Sequence, residues 1–229
     1  MDWEAVAARE EARYGDGLRR LSEHPQTRQK QLVRMAMAAG GAALSRLMQG
    51  RREEAATWLT CSAERYRESW DAAPPESWGR LIGALKARVL AGDWRRASDD
   101  ARWALAQGPA QSASPIGRYA AALAALILGD DAQAQRLVAS LAAEPSEAFP
   151  RPVASALAAL ATGDPHAYAD AVRAVLTSFE ERDAYLDDVR VADTVMVLEA
   201  LAGRRDIAAR VRSALVPPEP ASPFTRAGT

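Results

Sequence analysis

The chain has 229 residues, 48% of them hydrophobic and 26% charged, so it can bury a substantial core and does not read as a disordered polymer. With 29 Lys and Arg against 30 Asp and Glu, the formal net charge of -1 supplies no bulk field to draw it onto nucleic acid or an acidic membrane. One cysteine, Cys61, excludes an internal disulfide, and with His24 and His166 it makes a poor ligand set for zinc.

The chain begins Met-Asp-Trp-Glu, with Glu10 and Glu11 soon after, and lacks the basic start and apolar stretch of a secretory signal. No run reaches the roughly 18 uninterrupted apolar residues of a membrane span. A soluble, cytoplasmic protein is the expectation. A leading helix is predicted over about 2–21, then helical hairpins at about 27–71, 77–107, 115–143, 151–181 and 189–214. Pro74, Pro75, Pro109, Pro115, Pro145, Pro150 and Pro152 fall at boundaries in this scheme. No segment sustains the period-two alternation of a strand. Residues 216–229 contain four prolines and read as a disordered tail, which leaves 1–215 as one helical-repeat domain.

An internal repeat underlies this division. An apolar stretch, a glycine, a polar residue and a second amphipathic stretch recur at Gly50, Gly92, Gly129, Gly163 and Gly203, spaced 42, 37, 34 and 40 residues apart. Two short helices and their turns occupy about 34 to 47 residues. Glycine can take the left-handed conformation that closes a helix, and in three copies the next residue is Asp93, Asp130 or Asp164, able to cap the following helix. Pro165 suits the first turn of a helix capped by Asp164. Five residues past each glycine stands Ala55, Ala97, Ala134, Tyr168 or Ala208, and a small residue there lets paired helices approach closely. The fold class read from this pattern is all-α, an α-solenoid of about five antiparallel helical hairpins.

The glycine followed five residues later by alanine resembles the tetratricopeptide repeat, in which these are two consensus positions. Ala104, 12 residues past Gly92, matches a third, whereas Ser62, Leu141, Val175 and Leu215 stand at its equivalents. The family's first-helix aromatic is missing from every copy. The resemblance covers about residues 27–214 and implies a fold. The stretch GDPHAYADAVRAVLTSFEERDAYL, then ADTVMVLEALAGRR and Pro217-Pro218, resembles all-helical immunity proteins that neutralise bacterial toxins, which would imply toxin binding.

Chemistry-bearing residues are few. Asp99-Asp100, Asp130-Asp131 and Asp187-Asp188 are adjacent acids that point about 100° apart on a helix, so each pair reads as a cap with a solvated neighbour. His24 and His166 lie beside prolines and read as exposed, and Cys61 as a small packed residue. No nucleophile elbow, Walker loop or dinucleotide fingerprint is present, so neither an enzyme nor a cofactor or metal site is expected.

Five tryptophans, Trp58, Trp70, Trp78, Trp94 and Trp103, lie within 46 residues. Trp58 and Trp103 read as packing, and Trp78 and Trp94, at helix starts, as apolar anchors for a partner. An arginine recurs at the entrance to each hairpin after the first: Arg80, Arg118, Arg151 and Arg190, preceding the hinge glycines by 12, 11, 12 and 13 residues. A cation at a helix amino terminus opposes the helix dipole and needs compensation. One reading gives each arginine to the preceding hairpin, through its closing carbonyls or an acid such as Glu76, Glu147 or Asp187. The other makes them a ladder that meets carboxylates of a partner. The expected function is a non-catalytic protein-interaction scaffold whose partner is another protein or an acidic peptide, with no nucleic acid and no membrane. A toxin-immunity protein is the narrower alternative, and an enzyme or small-molecule binder with a pocket around Trp70, Trp78, Trp94 and Trp103 the rival from another class.

Overall fold

The computed structural model describes residues 1–145, 147–185 and 188–218. These form ten α-helices: α1 (Trp3–Arg19), α2 (Pro25–Met48), α3 (Arg52–Glu68), α4 (Gly79–Ala91), α5 (Trp94–Ala106), α6 (Pro115–Leu128), α7 (Asp131–Ala142), α8 (Arg151–Thr162), α9 (Pro165–Glu180) and α10 (Asp193–Gly203), with a 3-10 turn at Pro109–Gln111. No strand occurs among the described residues, and the fold is all-helical. No described helix is long and apolar enough to cross a membrane.

The hinge chemistry explains four helix pairs. Gly50, Gly92, Gly129 and Gly163 all have positive φ, between 68° and 79°, which only glycine adopts without strain. At Gly50, Gly129 and Gly163 the next residue's amide reaches back to a carbonyl five residues earlier, for example Asp130 N–H to Ala125 O at 3.0 Å, which closes the first helix. The capping acids then open the second: the side chains of Asp93, Asp130 and Asp164 accept from the amides of Arg96, Gln133 and Ala167 at 3.0 Å each. Ala55, Ala97, Ala134 and Tyr168, five residues past the glycines, are completely buried where the paired helices meet.

The fifth hairpin does not form. Gly203 is the last residue of α10, and the left-handed position falls instead on Asp206, with φ 58°. The Ile207 amide bonds Ala202 O at 3.1 Å and closes the helix there. The stretch after Asp206 has good helix formers, but its amides are spent elsewhere. Glu199, completely buried in α10, accepts from Ala209 N–H at 3.1 Å, Arg210 N–H at 2.6 Å and the Tyr168 hydroxyl at 2.8 Å. Tertiary contacts therefore override helix propensity. Packing also continues past the expected tail boundary: Leu215 O accepts from Ala192 N–H at 2.8 Å, and Val216 is only 5% exposed. The rest of the expected tail, from 219 onward, lies outside the described residues.

Helix α10 organises the core. Val195 to Ala202 are buried without interruption, so the helix is surrounded by protein on every side. It packs on α4, α8 and α9. Its start meets Lys86 in the middle of α4, while beyond its end Arg204 lies over the Trp94 ring at 4.4 Å and Arg205 donates to Leu126 O and Asp131. The space that an open stack of hairpins would offer along its first helices is filled by the chain's own last helix.

Candidate binding cleft

The concavity left by this arrangement is a cleft of about 390 Å³ between α2, α3, α4 and the α9–α10 connection. Its construction begins with glycines. Gly40 and Gly41 sit mid-helix in α2, where each costs roughly 0.5–1 kcal/mol relative to alanine. A Cβ on Gly41 would stand 3.0 Å from Glu10 Cγ and 3.4 Å from Val189 Cγ2, so this glycine lets α1 and the α9–α10 connection close onto α2. A Cβ on Gly40 would meet only Ser62 Oγ, at 3.5 Å, and faces the open cleft. In α4 the Tyr66 ring lies against Gly83, where a Cβ would come within 2.5 Å of it. Met37, Leu44, Leu59, Ile82 and Leu90 supply the apolar lining.

Two cations line this apolar space. Lys86, with a side chain 16% exposed, forms an ion pair with Asp193 and donates to Thr194 Oγ1 at 3.0 Å. Burial pulls its ammonium down, but the Asp193 carboxylate and the nearby Tyr119 more than offset this, so its pKa is raised and it stays protonated. Burial likewise pushes the Tyr119 phenol up. Asp193 is further engaged by the Thr194 amide, at 2.7 Å from Oδ1. The second cation, Arg182, lies across the Phe179 ring at 3.7 Å. Tyr185 closes the wall, its hydroxyl donating to Phe179 O.

The nucleophilic and basic side chains of the described residues lie as follows. An ammonium held charged is not a nucleophilic amine. Cys61 stands outside the cleft, with its thiol pushed up by burial. His166 is exposed in the first turn of α9, and His24 is exposed before α2. Among the described residues, Asp193 is the one carboxylate lining the cleft and is already taken, and no group of three or more His, Cys, Asp or Glu side chains gathers as a metal site.

The structure scatters the expected site. Arg80 donates to Ser69 O at the end of the preceding hairpin and to Gln29, the structural role anticipated for it. Arg118 pairs with Glu144, beyond α7 in its own hairpin rather than in the preceding one. Arg151 is exposed without an ion pair among the described residues, and Arg190, exposed, lies 5.5 Å from the Tyr185 ring centroid. Two of the four arginines are thus consumed internally, and the four do not share one environment as a ladder requires. Asp187, a suggested acid partner, lies outside the described residues.

Trp78 packs on Trp70, with centroids 5.9 Å apart, and Trp70 on Trp103 at 6.0 Å. Trp70 donates to Gln107 Oε1 at 2.9 Å, and Arg67 lies over Trp103 at 4.7 Å. Trp58 meets Tyr14 edge-on at 5.3 Å. Of the tryptophans named in the rival pocket reading, Trp70, Trp78, Trp94 and Trp103, none lines the cleft. Large rings fill the gaps that an Ala-rich stack leaves. Asp100 also departs from expectation, being a buried acid held between Arg67 and Arg88 rather than a solvated neighbour of a cap.

Sequence reasoning missed Lys86, Arg182, Tyr185, Asp193 and Thr194. A usable signal existed for Lys86, one of two lysines in the chain, placed inside the apolar run LIGALKARVL. Comparison of the chain with family models, with curated proteins and with solved structures finds no match.

Proposed function

We propose that this chain is a non-catalytic binding module: a tetratricopeptide-like stack of helical hairpins whose recognition element is the glycine-floored cleft. The observation that carries this reading is the cleft itself, apolar in lining, with its deep ammonium already neutralised by Asp193. Small-molecule sites run from about 300 to 1,000 Å³ with few polar groups, a description this volume and lining fit. Because α10 occupies space against α4, α8 and α9, this reading places recognition in the cleft rather than along an extended groove for a helical partner. Chemical-shift mapping against a panel of small apolar compounds tests it. Shifts should cluster at Met37, Gly40, Ile82 and Thr194 and vanish in Gly40→Leu, whose side chain would fill the recess. Shifts centred elsewhere, or persisting in that variant, would remove the cleft from the account.

A second reading keeps a protein partner, as a scaffold or a toxin-binding immunity protein. Its support is the exposure of Arg151 and Arg190, the two entrance arginines whose guanidinium groups make no hydrogen bond or ion pair among the described residues, unlike Arg80 and Arg118. Replacing both with glutamine should then abolish capture of an acidic partner while leaving stability unchanged.

A further inference from the structure

Among the described residues, one charge lining the cleft has no acidic partner. Lys86 is balanced by Asp193, whereas Arg182 has no carboxylate partner among the described residues, and its sequence neighbours Glu181 and Asp183 form no ion pair with it. Arg182 is exposed at the edge of the cleft; the Phe179 ring takes one face of its guanidinium, and its in-plane N–H donors make no protein hydrogen bond among the described residues. Lys86 and Arg182 are also close enough to repel each other. Among the described residues, the lining therefore combines apolar walls with an excess of one positive charge, carried by a planar fork suited to a carboxylate. At the ~30 Å³ that a water occupies in the liquid, its volume holds roughly a dozen heavy atoms.

We propose that the cleft takes a small apolar monocarboxylate, its hydrocarbon body lying against Met37, Leu44 and Ile82 and its carboxylate on the Arg182 guanidinium. This rests on the cleft being the recognition site. Lys86 stays with Asp193 throughout and shapes the floor, and Arg182 alone reads the charge. Neutral analogues of the same length keep the apolar contacts and lose the ion pair.

Calorimetric titration of the full chain with octanoate, octanamide and 1-octanol tests the proposal. Octanoate should bind, octanamide about 10- to 100-fold more weakly, since a hydrogen bond to a charged group is worth about that factor. Arg182→Gln should weaken octanoate by the same factor and leave 1-octanol unchanged, which also reports that the variant is folded. Gly40→Leu should abolish binding of all three. Equal binding of octanoate and octanamide, with both lost in Gly40→Leu, would overturn the carboxylate and leave the cleft standing. Binding of an acetylated Gly-Gly-Leu peptide with a free carboxylate, in place of octanoate, would overturn the free acid in favour of a chain terminus. Binding of none of the probes, or binding indifferent to Gly40→Leu, would overturn both the ligand class and the cleft.

Discussion

Changing Glu199 to glutamine tests the contact that replaces the fifth hairpin. The carboxylate is inaccessible to solvent, and its two oxygens divide three donors: Oε1 accepts from the Tyr168 hydroxyl and Ala209 N–H, and Oε2 from Arg210 N–H at 2.6 Å. A carboxamide fills the same volume but has one oxygen. With that oxygen at the Tyr168 side, the new NH2 group faces the Arg210 amide, donor against donor. One hydrogen bond to a charged acceptor is lost, worth about 1.5–3 kcal/mol. At about 2–4 °C per kcal/mol for a domain of this size, the melting temperature should fall by roughly 3–12 °C. Urea denaturation gives the free energy, and hydrogen exchange at Ala209 and Arg210 localises it, since those amides lose protection first. Glu199→Gln within about 0.5 kcal/mol of the parent, the scatter of ordinary surface substitutions, with Arg210 exchange unchanged, would refute the claim that this carboxylate holds the segment after α10 in place.

Four further outcomes follow from the packing. Asp100→Ala should cost about 3–5 kcal/mol in urea denaturation, because it leaves Arg88, only 4% exposed, with Glu64 at 4.0 Å as its nearest acid. Gly83→Ala should destabilise by about 1–3 kcal/mol through collision with the Tyr66 ring, whereas Gly40→Ala should be neutral or stabilise by up to about 1 kcal/mol. Gly163→Ala should cost about 1–2 kcal/mol for its left-handed backbone, a penalty Gly203→Ala escapes because that residue is helical. Burial, then Glu199, hold the Tyr168 phenol far above its ordinary value, so the folded state keeps its proton where the unfolded chain loses it. Stability from this group is complete below about pH 10 and declines as pH rises beyond it. Tyr168→Phe should reduce that alkaline decline, with Tyr119, Cys61 and Lys86, all raised in the fold, contributing to what is left.

What the sequence disclosed was local. A glycine with positive φ and an aspartate whose carboxylate caps three residues on are decided within a few residues, so the hinges at Gly92, Gly129 and Gly163 were legible from spacing alone. The same reasoning failed at Gly203 because the outcome there depends on Glu199 and Tyr168, partners 31 residues apart. The arginines differ among themselves for the same reason. A regular position along the chain fixes where a side chain leaves its helix but not what it meets, and Ser69, Glu144 and the Tyr185 ring are three different answers. The cleft was invisible because its walls come from both ends of the chain. No periodicity joins Gly41 to Val189, or Lys86 to a threonine 108 residues away.

That separation ties the cleft to the completion of the fold. Asp193 and Thr194 open α10 at the cleft, and Glu199 stands six residues further along, about 9 Å at 1.5 Å per residue. One rigid helix therefore carries both the groups that neutralise Lys86 and the carboxylate that anchors the following segment. The α2–α4 face can form early, from contacts local in sequence, but without α10 it holds an ammonium lacking its carboxylate and a glycine surface lacking Val189. Loop-closure entropy is recovered only when the last helix docks. Loosening the Glu199 anchor should then weaken ligand capture in the cleft through α10, although Glu199 itself does not line it.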